Sequence, residues 1–124
     1  MKLHPDQPNA LNTITAYGPG YIEVNARRHP GAVCLAPQGE VQVWTLGPDG
    51  SLDDQAVAQL LAGTPEIILL GTGSRQVFPD PARLAGLYRS KTGFEIMSTP
   101  AACRTYNILM AEGRKVLAAL MPIH

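Results

Sequence analysis

The sequence predicts an α/β protein: a three-layer sandwich around a partly parallel sheet, with an antiparallel β layer built from its N-terminal third. Three observations carry this reading. The first third is cut by Gly and Pro into short runs rich in β-branched and aromatic residues. Beyond it, segments of helical period alternate with short apolar runs, the pattern of strands alternating with helices in layered α/β folds. Most of those helical segments also begin and end with recognisable start and stop residues.

In the first third, residues 13–16 and 21–25 flank the turn-rich Tyr17-Gly18-Pro19-Gly20 and read as a hairpin. Residues 32–36 follow the turn signal Pro30-Gly31. Residues 42–46 follow Pro37-Gln38-Gly39 and include Trp44, the single tryptophan. Short connections of this kind suit a meandering antiparallel layer.

The period then changes. Ser51 is placed to cap a helix, and Asp53 and Asp54 suit the positive end of its dipole. Leu52, Ala56, Val57, Leu60 and Leu61 fall on one face, and Gly63 with Pro65 ends the segment. Residues 66–70 form a short apolar strand that runs into Gly71-Thr72-Gly73. A second helix is expected from Asp80 with Pro81 at its first position, Leu84, Leu87 and Tyr88 on its apolar face, and Gly93 in the left-handed closing conformation. Residues 94–97 read as a strand. Thr99 is expected to cap a third helix with Pro100 at its first position and Ala102, Tyr106, Leu109 and Met110 at helical spacing. Residues 116–121 read as a last strand.

A chain of 124 residues with 45% hydrophobic and 16% charged residues can bury a core as one domain, residues 1–124, without metal or disulfides. Residues 1–10 are expected to be a poorly ordered N-terminal segment. Met1 to Pro8 contain no apolar run after Lys2, so they do not read as a secretory signal, and they lack the Arg-rich character of a transit peptide. The longest apolar run is far short of a membrane span, so no membrane insertion is predicted. Ten basic residues balance ten acidic ones, which leaves no electrostatic footprint for nucleic acid. Cys34 and Cys103 form neither a CxxC pair nor a zinc ligand set, and free thiols in a reducing cytoplasm are the expectation. No metal, cofactor or catalytic set is predicted.

Residues 65–73, Pro-Glu-Ile-Ile-Leu-Leu-Gly-Thr-Gly, and residues 93–107, Gly-Phe-Glu-Ile-Met-Ser-Thr-Pro-Ala-Ala-Cys-Arg-Thr-Tyr-Asn, resemble two signatures of a known family. It is the domain-of-unknown-function family that includes the mitochondrial NADH dehydrogenase (complex I) assembly factor, and the chain resembles a bacterial-type member. Glu112-Gly113-Arg114 and the apolar 116–120 continue the likeness, which reaches more loosely to Tyr17 and residues 20–22. The resemblance implies a central mixed sheet of about five strands with helices and a small β layer around it. It also implies a role in assembly that rests on protein partners, and it carries over no catalytic residues.

The candidate ligand site is the Gly71-Thr72-Gly73 turn with Arg75, together with the start of the third helix: Thr99, Cys103, Arg104, Thr105 and Asn107. Glycines after a strand expose N–H groups that can cradle an anion, and a helix N-terminus attracts one too. The plainer reading is a tight turn that lets the strand leave the sheet, because the full dinucleotide fingerprint is absent. For Cys103, Arg104 and the helix start favour a thiolate, but no histidine is placed as its base; a buried, inert cysteine is the plainer reading. Arg27-Arg28-His29 reads as a solvated turn. A redox role would need Cys34 and Cys103 to meet, and their contexts give no reason for it. Two functions follow: a non-enzymatic interaction or assembly protein with unknown protein partners and a possible homodimer, which predicts an exposed apolar patch, or a binder or enzyme for an anionic small molecule at the two elements above.

Overall fold

A computed structural model describes residues 10–124; the expectation about residues 1–10 lies, but for Ala10, outside the described residues. Strands β1 (Ile14–Gly18), β2 (Tyr21–Val24) and β3 (Arg27–Pro30) form an antiparallel sheet. Strands β4 (Val33–Leu35) and β5 (Gln42–Val43) are followed by helix α1 (Asp54–Leu61), β6 (Ile67–Gly71), α2 (Ala85–Ser90), β7 (Gly93–Met97), α3 (Thr99–Ala111) and β8 (Val116–Leu120). The main sheet has the order β5-β4-β8-β6-β7. In it β6 runs parallel to both β7 and β8, while β4 is antiparallel to β8 and β5. The predicted α/β class, the mixed five-stranded sheet and the small antiparallel layer are all present.

Alternation along the central strands builds two cores. Leu69, Val116, Ala118 and Leu120 point to one face, against Ala102, Cys103, Tyr106 and Met110 of α3 and Ile14, Ile22 and Val24 of the small sheet. Ile68, Leu70 and Ala119 point to the other, against Ala56, Val57 and Leu60 of α1, Leu87 of α2, and Trp44. Central strands covered on both faces must be apolar throughout, which is why 67–70 and 116–120 read as unbroken runs. Leu60, Leu69, Leu87 and Leu120 are fully buried, and each contributes about 1.5–3 kcal/mol by leaving water. The Trp44 indole N–H donates to the Ala56 carbonyl at 3.2 Å, and the Tyr106 hydroxyl donates to the Asn12 carbonyl at 2.8 Å.

Several local expectations are corrected. Arg27-Arg28-His29 is not a turn but part of β3; the turn is Asn25-Ala26, with φ of 50° and 66°, the pair of left-handed residues a two-residue hairpin needs. The N-terminal third is not one meander, because β4 crosses to the main sheet and pairs with β8. The strand expected over 42–46 stops at Val43, where Trp44 turns into the core. Asp53, not Ser51, caps α1, accepting from the Ala56 N–H at 2.9 Å. The second helix begins as a 3-10 turn, Pro81–Leu84, capped by Asp80. It closes on Lys91 at φ 63°, so Gly93 is free to open β7, and Tyr88 faces solvent rather than the core. Ser98, not Thr99, caps α3.

Candidate functional site

The loops after β6 and β7 leave towards opposite faces of the sheet, because α2 lies on one face and α3 on the other. Open α/β sheets place ligands beside such a reversal, at the carboxyl ends of the strands. Here the two predicted elements do meet. The Thr99 N–H donates to the Gly73 carbonyl at 2.7 Å, and the Gly73 N–H donates to Thr99 Oγ1 at 2.8 Å. Thr99 Oγ1 in turn donates to the Met121 carbonyl at 2.8 Å, and the Met121 N–H reaches the Gly71 carbonyl at 2.9 Å. The Thr72 N–H donates to the Met97 carbonyl at 2.9 Å. One fully buried threonine thus ties the ends of β6, α3 and β8 together.

Close approach explains the glycines. A Cβ on Gly71 would lie 3.0 Å from Thr99 Cα, and Gly73 holds φ +95° with the Pro122 carbonyl 3.1 Å from where its Cβ would stand. At the start of α3 the donors are spent within the chain. Thr99 uses its N–H on Gly73, Pro100 has none, and the Ala101 N–H donates to Ser98 Oγ at 3.3 Å.

The remaining predicted residues separate. Cys103 is buried against the main sheet; burial pushes its thiol up to about 12, outweighing the opposing charge of Arg104. Arg104 is exposed and donates to the Tyr17 hydroxyl at 3.2 Å. Thr105 is half-buried. The Asn107 side chain pairs with both backbone groups of Ile14, accepting at 2.9 Å and donating at 2.8 Å, so it pins β1 to α3. Arg75 stands on the exposed loop, where its carbonyl accepts from Thr72 Oγ1 at 2.7 Å.

Burial likewise pushes the Cys34 thiol up to about 12. Cys34 and Cys103 belong to cores on opposite faces of the main sheet, so they cannot pair. His29 is held below its usual range by burial and by the Arg27 charge. Among the described residues no three His, Cys, Asp or Glu side chains gather as a metal site, and no helix is long and apolar enough to cross a membrane.

Two features escaped the sequence. A cleft of about 420 Å³ opens on the outer side of the Gly71–Gly73 loop. Three segments line it: Leu46, Asp49 and Gly50; Thr72, Gly73, Ser74, Arg75 and Val77; and Met121, Pro122 and His124. The Pro-Asp-Gly run is legible as a turn, but nothing in the sequence places it beside residue 75. The second feature is the edge of β7, which pairs only with β6 among the described residues. Val77, Phe78 and Tyr88 are 56%, 70% and 65% exposed, and Tyr88 meets Phe94 edge-on with ring centroids 5.1 Å apart. The Gln76 amide donates to the Ile96 carbonyl at 2.9 Å. Because the next carbonyl, Met97, is taken by the loop after β6, the backbone of Ile96 faces outward, and Gln76 covers part of the edge.

Residues 14–121 match a family described as a protein of unknown function, DUF498/DUF598. A Bos taurus protein named NADH dehydrogenase [ubiquinone] 1 alpha subcomplex assembly factor 3 is 32% identical over 122 residues, covering 97% of this chain. The chain spans 65% of that relative's length. A crystal structure of a Bordetella parapertussis protein is 47% identical, with a TM-score of 0.81, over 94% of this chain and 99% of that one. A solution structure from Bordetella pertussis, described as a Mth938-like domain, is 43% identical with a TM-score of 0.75, over 98% of this chain and 92% of that one.

Proposed function

The chain belongs to the DUF498/DUF598 family, and from that premise we propose that it works through protein partners, as an assembly-factor-like protein without a reaction of its own. The observation that carries this reading is that nearly the whole chain aligns with a protein named as an NADH dehydrogenase assembly factor. The surface beside β7 supports it. Val77, Phe78 and Tyr88 present apolar area next to an open strand edge, the kind of surface a partner covers. The partner is a protein, and a homodimer through the same edge is a second form of the same reading. The chemistry of Cys103 agrees, since a thiol held protonated by burial is a poor nucleophile. Two separated, buried thiols suit a reducing cytoplasm.

The alternative, an anionic ligand or substrate held by Gly71, Thr72, Gly73, Arg75, Thr99, Cys103, Arg104, Thr105 and Asn107, ranks second. Its observation in favour is that Gly73 and Thr99 meet. Against it, the donors there are already engaged and Asn107 is committed to β1.

Deleting the gene in its own cell and measuring assembled NADH dehydrogenase on native gels tests the first reading. Assembled complex should fall several-fold. A gene copy carrying Phe78→Ser and Tyr88→Ser should be produced normally yet fail to restore it. Unchanged complex after deletion would overturn the assembly role.

A further inference from the structure

The cleft outside the Gly71–Gly73 loop carries an inference that does not depend on the start of α3 and shares only Val77 with the partner surface at β7. It lies at the carboxyl ends of the parallel strands β6 and β8, and its size suits a small molecule. Leu46, Val77 and Met121 give it apolar lining. Two of its walls are held in place before any ligand arrives. Ser74 Oγ donates to the His124 carbonyl and accepts from the His124 N–H, both at 2.9 Å. Thr72 Oγ1 accepts from the Val77 N–H at 3.0 Å while donating to the Arg75 carbonyl at 2.7 Å. Such preorganisation lowers the ordering cost of binding.

Charge is distributed across the cleft. Arg75 and Asp49 both line it, from different segments of the chain. Among the described residues the one ion pair is Arg114 with Glu66, and no hydrogen bond engages the Arg75 guanidinium or the Asp49 carboxylate. Asp49 also sits at φ 59°, ψ 25°, a left-handed conformation that a glycine would hold without strain. Aspartate tolerates this conformation better than most residues other than glycine, so the turn can hold it. A carboxylate at the rim does suit a ligand that brings a cationic donor.

We infer that this cleft binds a small zwitterion with an apolar body, of the α-amino-acid class: Arg75 takes its carboxylate, Asp49 its ammonium group, and Leu46, Val77 and Met121 its side chain. The bidentate geometry of a guanidinium fits a carboxylate, and both contacts are charge-assisted.

A titration with L-leucine, N-acetyl-leucine and leucinamide, followed by backbone amide shifts in two-dimensional NMR, tests it. Leucine should shift the amides of 72–77, 121, 123 and 124 saturably. The two derivatives, each lacking one charge, should bind at least about tenfold more weakly. Arg75→Ala and Asp49→Gly should each cost a similar factor. Asp49→Gly relieves the left-handed strain, so its loss of binding is separable from a loss of fold. Arg104→Ala should leave leucine binding unchanged, because Arg104 lies over β1. Absence of a saturable shift, equal binding of leucine and N-acetyl-leucine, or loss of binding in Arg104→Ala would each overturn the assignment. None of these outcomes bears on Phe78 and Tyr88, which test the partner surface at β7.

Discussion

Thr99 and Gly73 exchange two hydrogen bonds, N–H to carbonyl at 2.7 Å and N–H to hydroxyl at 2.8 Å, and so lock the start of α3 to the end of β6. The hydroxyl also serves the Met121 carbonyl, so a single side-chain oxygen satisfies two buried backbone groups. Thr99→Val keeps the shape and removes both bonds. Each orphaned group costs about 1–3 kcal/mol, so the variant should lose roughly 2–6 kcal/mol in urea unfolding. Thr99→Ser should keep most of the stability. Equal losses in the two variants would mean that the methyl, not the hydroxyl, holds the junction.

The glycines of the chain should respond unequally to an added methyl. Gly71→Ala puts a carbon 3.0 Å from the Thr99 backbone and should cost about 1–3 kcal/mol. Gly63→Ala meets nothing within 4 Å and should be neutral or stabilise by up to about 1 kcal/mol. Thermal unfolding of the pair checks the contrast, and a tolerant Gly71 would show that the junction can relax.

Asn107 is the clasp between α3 and the small sheet. Replacing it by Ala leaves both backbone groups of Ile14 without their partner. Hydrogen exchange at the Ile14 amide should then rise by about tenfold or more, while amides in β6 change little. Uniform acceleration throughout the chain would instead indicate global destabilisation.

Both thiols resist ionisation in the folded state, at about 12 against an ordinary 9.0. Above pH 9.0 the unfolded chain releases these protons and the folded chain retains them, so stability is full below pH 9 and falls as pH rises towards 12. The slope should approach about 1.4 kcal/mol per pH unit for each thiol. Urea midpoints at pH 7.5 and 10.5 measure it, and a Cys34→Ala, Cys103→Ala variant should show a flatter decline. At pH 8 neither thiol should react with a maleimide until the protein unfolds.

Much of the fold was legible because its signals are local. The unbroken apolar runs of β6 and β8 follow from burial on both faces, and the helical stripe at Ala56, Val57 and Leu60 from burial on one. Boundaries were read less well. Ser51 and Thr99 each looked like caps, yet Asp53 and Ser98 hold those places, since several residues able to cap stand close together. Strand β3 went unread because Arg27, Arg28 and His29 are polar on an edge strand, and the Asn25-Ala26 turn lacks the glycine that usually marks a two-residue hairpin.

The candidate site divides along the same line. By itself the sequence determined that Gly71-Thr72-Gly73 follows a strand and that Thr99 stands at a helix start, because period and punctuation depend on neighbours in the chain. Only the tertiary structure decided that Thr99 closes on Gly73, that Arg104 and Asn107 turn to β1, and that Asp49 and Arg75 line one cleft. Those relations depend on which strands pair and on which face each crossover takes, and packing between residues distant in sequence selects both.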